Sequence, residues 1–163
     1  MSPERLRELL HYNPSTGVFT RKVRTAQVSR VGDVAGSLGN RGHIIIELCA
    51  RRYQASILAW VYMTGRWPAD EIDHKDCDPA NNRWDNLREA TSQQNKGNRR
   101  RSVSKKYDSP KGVFWDKNRQ KWLAAIGVNG RFKNLGRYAD MQEAQAAYER
   151  AAKEHFGEFA RVA

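Results

Sequence analysis

Cysteine is nearly missing from this sequence: Cys49 and Cys77 are its two in 163 residues, and they form no CxxC pair. That count argues against a disulfide framework and against a four-ligand zinc site, and it makes a reducing compartment the expectation. Long apolar runs are missing too. None approaches the ~20 residues that a membrane span requires, so no membrane partner is expected. The opening Met1–Leu10 carries Glu4, Arg5, Arg7 and Glu8, which is unlike a secretory signal. Acidic residues are scarce as well. Eighteen Asp plus Glu face 29 Lys plus Arg, a formal net charge of +11. An excess of that size in a small protein points to a polyanion, although a merely soluble basic protein would share it. Clustering decides between the two. The stretch from Lys96 to Lys106 holds Lys96, Arg99, Arg100, Arg101, Lys105 and Lys106 and no carboxylate. Such a block repels itself until it meets phosphates. It has no apolar face to lay on lipid.

Three regions follow one another. The first runs from Met1 to about Thr64. Pro3–His11 reads as a short helix, Asn13–Gly17 as a turn, and His43–Leu48 as a buried strand with Tyr53–Gln54 pairing back across an Ala50–Arg52 turn. Ile57–Thr64 reads as a helix stopped by Gly65. The second region, Trp67 to Asn98, is crowded with Asp and Asn. Glu71–Asp76 and Leu87–Ala90 read as strands, and Thr91 with Gln94 fits a capping box for a helix over Gln93–Asn98. In the third, Lys111–Trp115, Lys121–Val128 and Phe132–Tyr138 read as strands, and Asn129-Gly130 supplies a hairpin turn. Asp140 then caps a helix whose apolar stripe is Ala144, Ala147, Tyr148, Ala151, Ala152 and Phe156.

The segment that carries chemistry is Ile72-Asp73-His74-Lys75-Asp76, then Asn81-Asn82-Arg83-Trp84-Asp85-Asn86-Leu87-Arg88, then Gln93-Gln94-Asn95. Adjacent strand residues face apart, so a site using both Asp73 and His74 needs the strand to end or twist there. Together with Trp67-Pro68 just upstream, this text resembles the HNH endonucleases, specifically the phage homing branch, and the likeness reaches back to Leu6–Gly17. The resemblance implies the ββα-metal fold within an α+β chain. It also implies His74 as the general base, Asn86 orienting its imidazole, and Asp73 with Asn95 holding one divalent ion, Mg²⁺ or Mn²⁺. The chemistry is coherent: an imidazole is a good base near pH 7, and a hard cation takes oxygen donors. Similar phage sequences carry His-Arg where this chain has Ser56 and Ile57. His11, His43 and His155 read as structural or surface residues, and Cys77 is given no role.

Residues from about Ser109 to Val162 resemble the Apetala-type (ethylene-response-factor) DNA-binding domain. The likeness is carried by Lys111-Gly112-Val113, Lys121–Ile126, Leu135-Gly136, Glu143-Ala144, Ala147-Tyr148 and Ala151-Ala152. It implies a three-stranded antiparallel sheet, packed on one helix, that grips double-stranded DNA. The expected DNA contacts are Arg99, Arg100, Arg101, Lys105 and Lys106 in the linker, with Lys111, Trp115, Lys117, Arg119, Lys121, Arg131, Lys133 and Arg137 on the module. Cations of this kind position the protein on phosphates more than they read bases. The organisation expected is therefore a nuclease domain over 1–98 with a β-rich N-terminal extension, a basic linker over 99–108, and a DNA-binding module over 109–163. Two functions stay open: a metal-dependent DNA endonuclease of homing or mobile-element type, or a non-catalytic regulator that keeps the nuclease fold. In either case the expected setting is the cytoplasm of a phage host. The protein is expected to act there as a monomer or weak dimer, with no small-molecule cofactor.

Overall fold

A serine followed by a proline begins the first helix. Ser2 accepts from the Arg5 N–H at 3.2 Å, and Pro3 fills a position whose own N–H would have no partner. The computed structural model describes residues 1–24, 29–99 and 108–161 and divides the chain into two compact units, Met1–Ala90 and Thr91–Ala163.

In the first unit, α1 (Pro3–Leu9) passes directly into β1 (Leu10–Asn13), which pairs antiparallel with β2 (Val18–Arg21). The helix thus stops short of the expected His11, because Leu10 and Tyr12 turn inward as alternating strand residues. A second antiparallel sheet has the order β3-β4-β5, from β3 (Ser37–Leu38), β4 (Ile44–Leu48) and β5 (Arg51–Gln54). Its β4–β5 turn is Cys49-Ala50, both at positive φ (51° and 59°), tighter than the Ala50–Arg52 turn expected. α2 (Ala55–Thr64) follows without a break and is capped at Gly65. Next, β6 (Glu71–His74) and β7 (Leu87–Ala90) form an antiparallel pair, with a 3-10 turn at Trp84–Asn86 just before β7. Leu6, Leu10, Tyr12, Phe19, Ile46 and Leu58 centre the core. Each large apolar side chain buried there contributes about 1.5–3 kcal/mol.

The second unit begins with the expected capping box. The Thr91 hydroxyl accepts from the Gln94 N–H, and the Gln94 side chain accepts from the Thr91 N–H, starting α3 (Ser92–Asn98). β8 (Val113–Asp116), β9 (Lys121–Val128) and β10 (Arg131–Tyr138) pair in the antiparallel order β10-β9-β8. The β9–β10 turn is Asn129-Gly130, both at positive φ. Asp140 accepts from the Gln142 and Glu143 N–H groups to cap α4 (Met141–Phe156), whose stripe of Ala144, Ala147, Tyr148, Ala151, Ala152 and Phe156 is buried.

The units divide at Ala90/Thr91, ahead of the 98/99 boundary expected from the sequence. The reason is local packing around α3. Gly97 lies so close to the Phe156 ring that a Cβ on it would meet Cγ at 2.7 Å. The Gly97 carbonyl also accepts from Lys111 Nζ and from the Arg161 N–H.

Candidate active site

Pairing with β7 fixes what each residue of β6 faces: Asp73 stands opposite Arg88, and His74 opposite Leu87. Arg88 Nε donates to Asp73 Oδ2 at 2.9 Å, with both side chains largely withdrawn from water. Period-two alternation would turn one of the Asp73–His74 pair to solvent, yet both are buried, at 4% and 6% exposure. The strand ends at His74, and the chain turns sharply there: Cys77 sits at φ 61°, and its N–H donates to the His74 carbonyl.

The loop between β6 and β7 is held by its own carboxylates and amides. Asp76 accepts from the Asp78 N–H (2.8 Å), from Asn81 Nδ2 (2.7 Å) and from Asn86 Nδ2 (3.0 Å). Asn86 closes the ring. Its Oδ1 accepts from the Asp76 N–H at 3.1 Å, and its Nδ2 also donates to the Asn81 carbonyl. Burial opposes ionisation of Asp76, but the bonds from Asp78, Asn81 and Asn86, with His74 nearby, outweigh it and hold the carboxyl below its ordinary value. The Asn86 amide is thus spent on the loop, while His74 Nε2 lies 3.3 Å from Asn82 Oδ1. Asn82 is itself fixed twice. Its Nδ2 donates to the Ala80 carbonyl, and its own carbonyl accepts from the buried Tyr12 hydroxyl at 2.7 Å. His43 also stands close to His74, ring centroids 5.8 Å apart.

Residues 53–96, from β5 through α3, match the family model described as HNH endonuclease. Protein 3.8 of Escherichia phage T7 is 36% identical over 90 residues, which span 73% of that protein and 55% of this chain. The chain belongs to the HNH endonuclease family. No solved structure matches it. Within the HNH segment, Asp73, His74, Asn82 and Asn86 all lie in the first unit, gathered by β6, β7 and their loop. Asn95 belongs to the second unit, partly buried on α3, with its N–H donated to the Thr91 carbonyl at 2.9 Å. Ser56 is buried in α2, and its Oγ has no hydrogen-bond partner among the described residues.

The sequence pattern assigns no role to Asn82 or Arg88 and marks His43 as a structural or surface residue. Asn82 could have been found as the second amide of the Asn81-Asn82 pair. His43 had no such signal, because it lies on another sheet and outside the matched segment.

The expected DNA contacts are distributed unevenly. Lys117, Lys121, Arg131 and Lys133 are exposed on the second unit, as is Arg99 at the end of α3. Arg119 and Arg137 both reach Asp116, at 3.4 and 2.8 Å. Their bonds hold the Asp116 carboxyl below its ordinary value, Arg137 contributing most. Lys111 is engaged with the Gly97 carbonyl. Trp115 packs edge-on against Trp122, ring centroids 5.0 Å apart. Arg100, Arg101, Lys105 and Lys106 lie outside the described residues. No helix among the described residues is long and apolar enough to cross a membrane.

Proposed function

We propose that this HNH protein is a metal-dependent DNA endonuclease of the homing or mobile-element type, cutting or nicking duplex DNA in the cytoplasm of a phage host. The observation that carries the reading is the buried His74, steadied through Nε2 by Asn82 and standing next to the buried Asp73 carboxylate at a strand end. His74 accepts a proton from water as the water oxygen bonds to phosphorus. The bond to the 3′ oxygen then breaks, and the departing oxygen takes a proton from a second water. Asn82 sets the ring's rotation, and Asn86 with Asp76 keeps the loop from collapsing onto it.

Among the described residues no group of three or more His, Cys, Asp or Glu is arranged to hold a metal. The donor chemistry nevertheless suits a hard ion. The family resemblance names two protein donors for such an ion, the Asp73 carboxylate and the Asn95 amide oxygen, which belong to different units, with DNA phosphate and water as the remaining ligands. A divalent ion bound there, Mg²⁺ or Mn²⁺, would stabilise the charge that builds on the phosphate. The second unit, with Lys117, Lys121, Arg131 and Lys133 on its surface and a likeness to Apetala-type domains, supports a DNA-holding role. Tethering such a module to the cutter raises the cutter's local concentration on the held duplex. A monomer or weak dimer suffices for nicking.

One observation favours a second reading, a DNA-binding regulator without catalysis: the Arg88 guanidinium engages the carboxylate that would hold the ion. Plasmid relaxation separates the two. With Mg²⁺ or Mn²⁺ the wild type nicks supercoiled DNA, and His74→Ala loses at least the ~100-fold typical of removing a general base. Equal, negligible conversion by both proteins would overturn the nuclease reading and leave the regulator.

A further inference from the structure

Beside His74, and built mostly from residues that precede the matched HNH segment, the first unit holds a cationic recess. β4 and β5 pair so that Ile45 stands opposite Gln54 and Glu47 opposite Arg52. His43 precedes β4 and shares that face by alternation. The preceding turn is tied by hydrogen bonds from Gly39 N–H to the His43 carbonyl and from Gly42 N–H to the Gly39 carbonyl. It abuts the β6–β7 loop so tightly that a Cβ on Gly42 would meet Pro79 Cγ at 2.9 Å. That contact brings the two elements together and sets the His43 ring 5.8 Å from His74. The recess encloses about 220 Å³ and is lined by Asn40, Arg41, His43, Arg52 and Gln54, with Gly39 and Ile45. None of its lining residues is acidic, and Glu47 across from Arg52 stays outside it.

Size and chemistry select the ligand. Pockets for drug-sized ligands run to roughly 300–1,000 Å³, so this one suits a phosphate group better than a nucleoside. Guanidinium groups match phosphate oxygens in pairs. His43 Nδ1 is buried without a hydrogen-bond partner among the described residues, so Nε2 is the ring nitrogen left to meet a ligand. Burial above all, then His74 and Arg41, holds its imidazole below the ordinary value. It can therefore donate a hydrogen bond without adding a third cation.

We propose that Arg41, His43 and Arg52 form a phosphodiester-binding subsite that seats a backbone phosphate of the strand lying across His74. The proposal rests on the nuclease reading for its geometry, but its test is independent of cleavage. The full-length protein is titrated into a fluorescein-labelled duplex in EDTA over a range of KCl concentrations, and binding is read by fluorescence anisotropy. R41A/R52A should flatten the slope of log K against log salt by about 0.9, the value for one lost phosphate contact. Both arginines are exposed, so an unchanged thermal transition verifies the fold. H43Q should weaken binding several-fold at unchanged slope. A slope in R41A/R52A equal to wild type overturns the subsite, even where His74→Ala abolishes nicking and the nuclease reading stands. H43Q binding as tightly as wild type removes His43 from it. A flattened slope in R41A/R52A, together with a wild type that never nicks, upholds the subsite and sinks the nuclease reading instead.

Discussion

Replacing Asp76 by asparagine keeps the shape of the side chain and removes its charge, which isolates what the carboxylate does for the β6–β7 loop. Asp76 accepts three hydrogen bonds, from the Asp78 N–H, Asn81 Nδ2 and Asn86 Nδ2, at 2.7–3.0 Å. A hydrogen bond to a charged group contributes about 1.5–3 kcal/mol when buried. Asp76 is largely exposed, so solvent screening reduces each bond to a fraction of that. About 1–2 kcal/mol for the set is a reasonable total, equivalent to a fall of at least about 4 °C in a cooperative unit of this size. Because the folded-state pKa lies below the unfolded value, the stabilisation is present above the unfolded pKa of about 3.9 and disappears as pH falls through the folded value. Scanning calorimetry of wild type and Asp76→Asn at pH 7 should show the gap in the transition of the first unit. The same scans near pH 3 should show it narrowing. Coincident transitions at pH 7, or a gap that stays constant into acid, would refute the reasoning.

Asn82→Ala removes the group at His74 Nε2 and should slow plasmid nicking about tenfold while leaving duplex affinity in EDTA within twofold, as read by anisotropy. Gly17 sits at φ 73°, and a Cβ there would meet the Asn82 backbone carbon at 2.4 Å. Gly17→Ala should therefore lower the first unit's transition by an amount corresponding to more than about 2 kcal/mol and reduce nicking with it. Gly112, at φ 74°, is backed onto the Tyr148 ring, with a Cβ meeting Cδ2 at 2.0 Å. Gly112→Ala should lower the second unit's transition by a similar amount and weaken duplex binding.

What could be read from the sequence was local chemistry. The stripe on α4, the Asp140 cap, the Asn129-Gly130 turn and the Thr91–Gln94 box are all written within a few residues of where they act, and each stands where it was expected. The β1–β2 hairpin was not legible as strands. Leu10 and Tyr12 continue a helical stretch in sequence, and only pairing with Arg21 and Phe19 makes them extended. Of the candidate site, Asp73 and His74 were visible as residue types, but their joint burial depends on a strand that ends under its own loop. The contact between Asn82 and His74, and the approach of His43 from β4, depend on which loops touch. No spacing in the chain encodes that.

The packing of Gly97 beneath Phe156 bears on how such proteins could exchange parts. Recombination between modules succeeds at seams that few contacts cross. The apparent seam after Asn98 is not one of these, since α3 takes its hydrophobic floor from the C-terminal half. A chain truncated there would keep the asparagine of the family motif and lose the support beneath it. The helix that carries Asn95 and the C-terminal sheet and helix are therefore expected to be inherited as one piece.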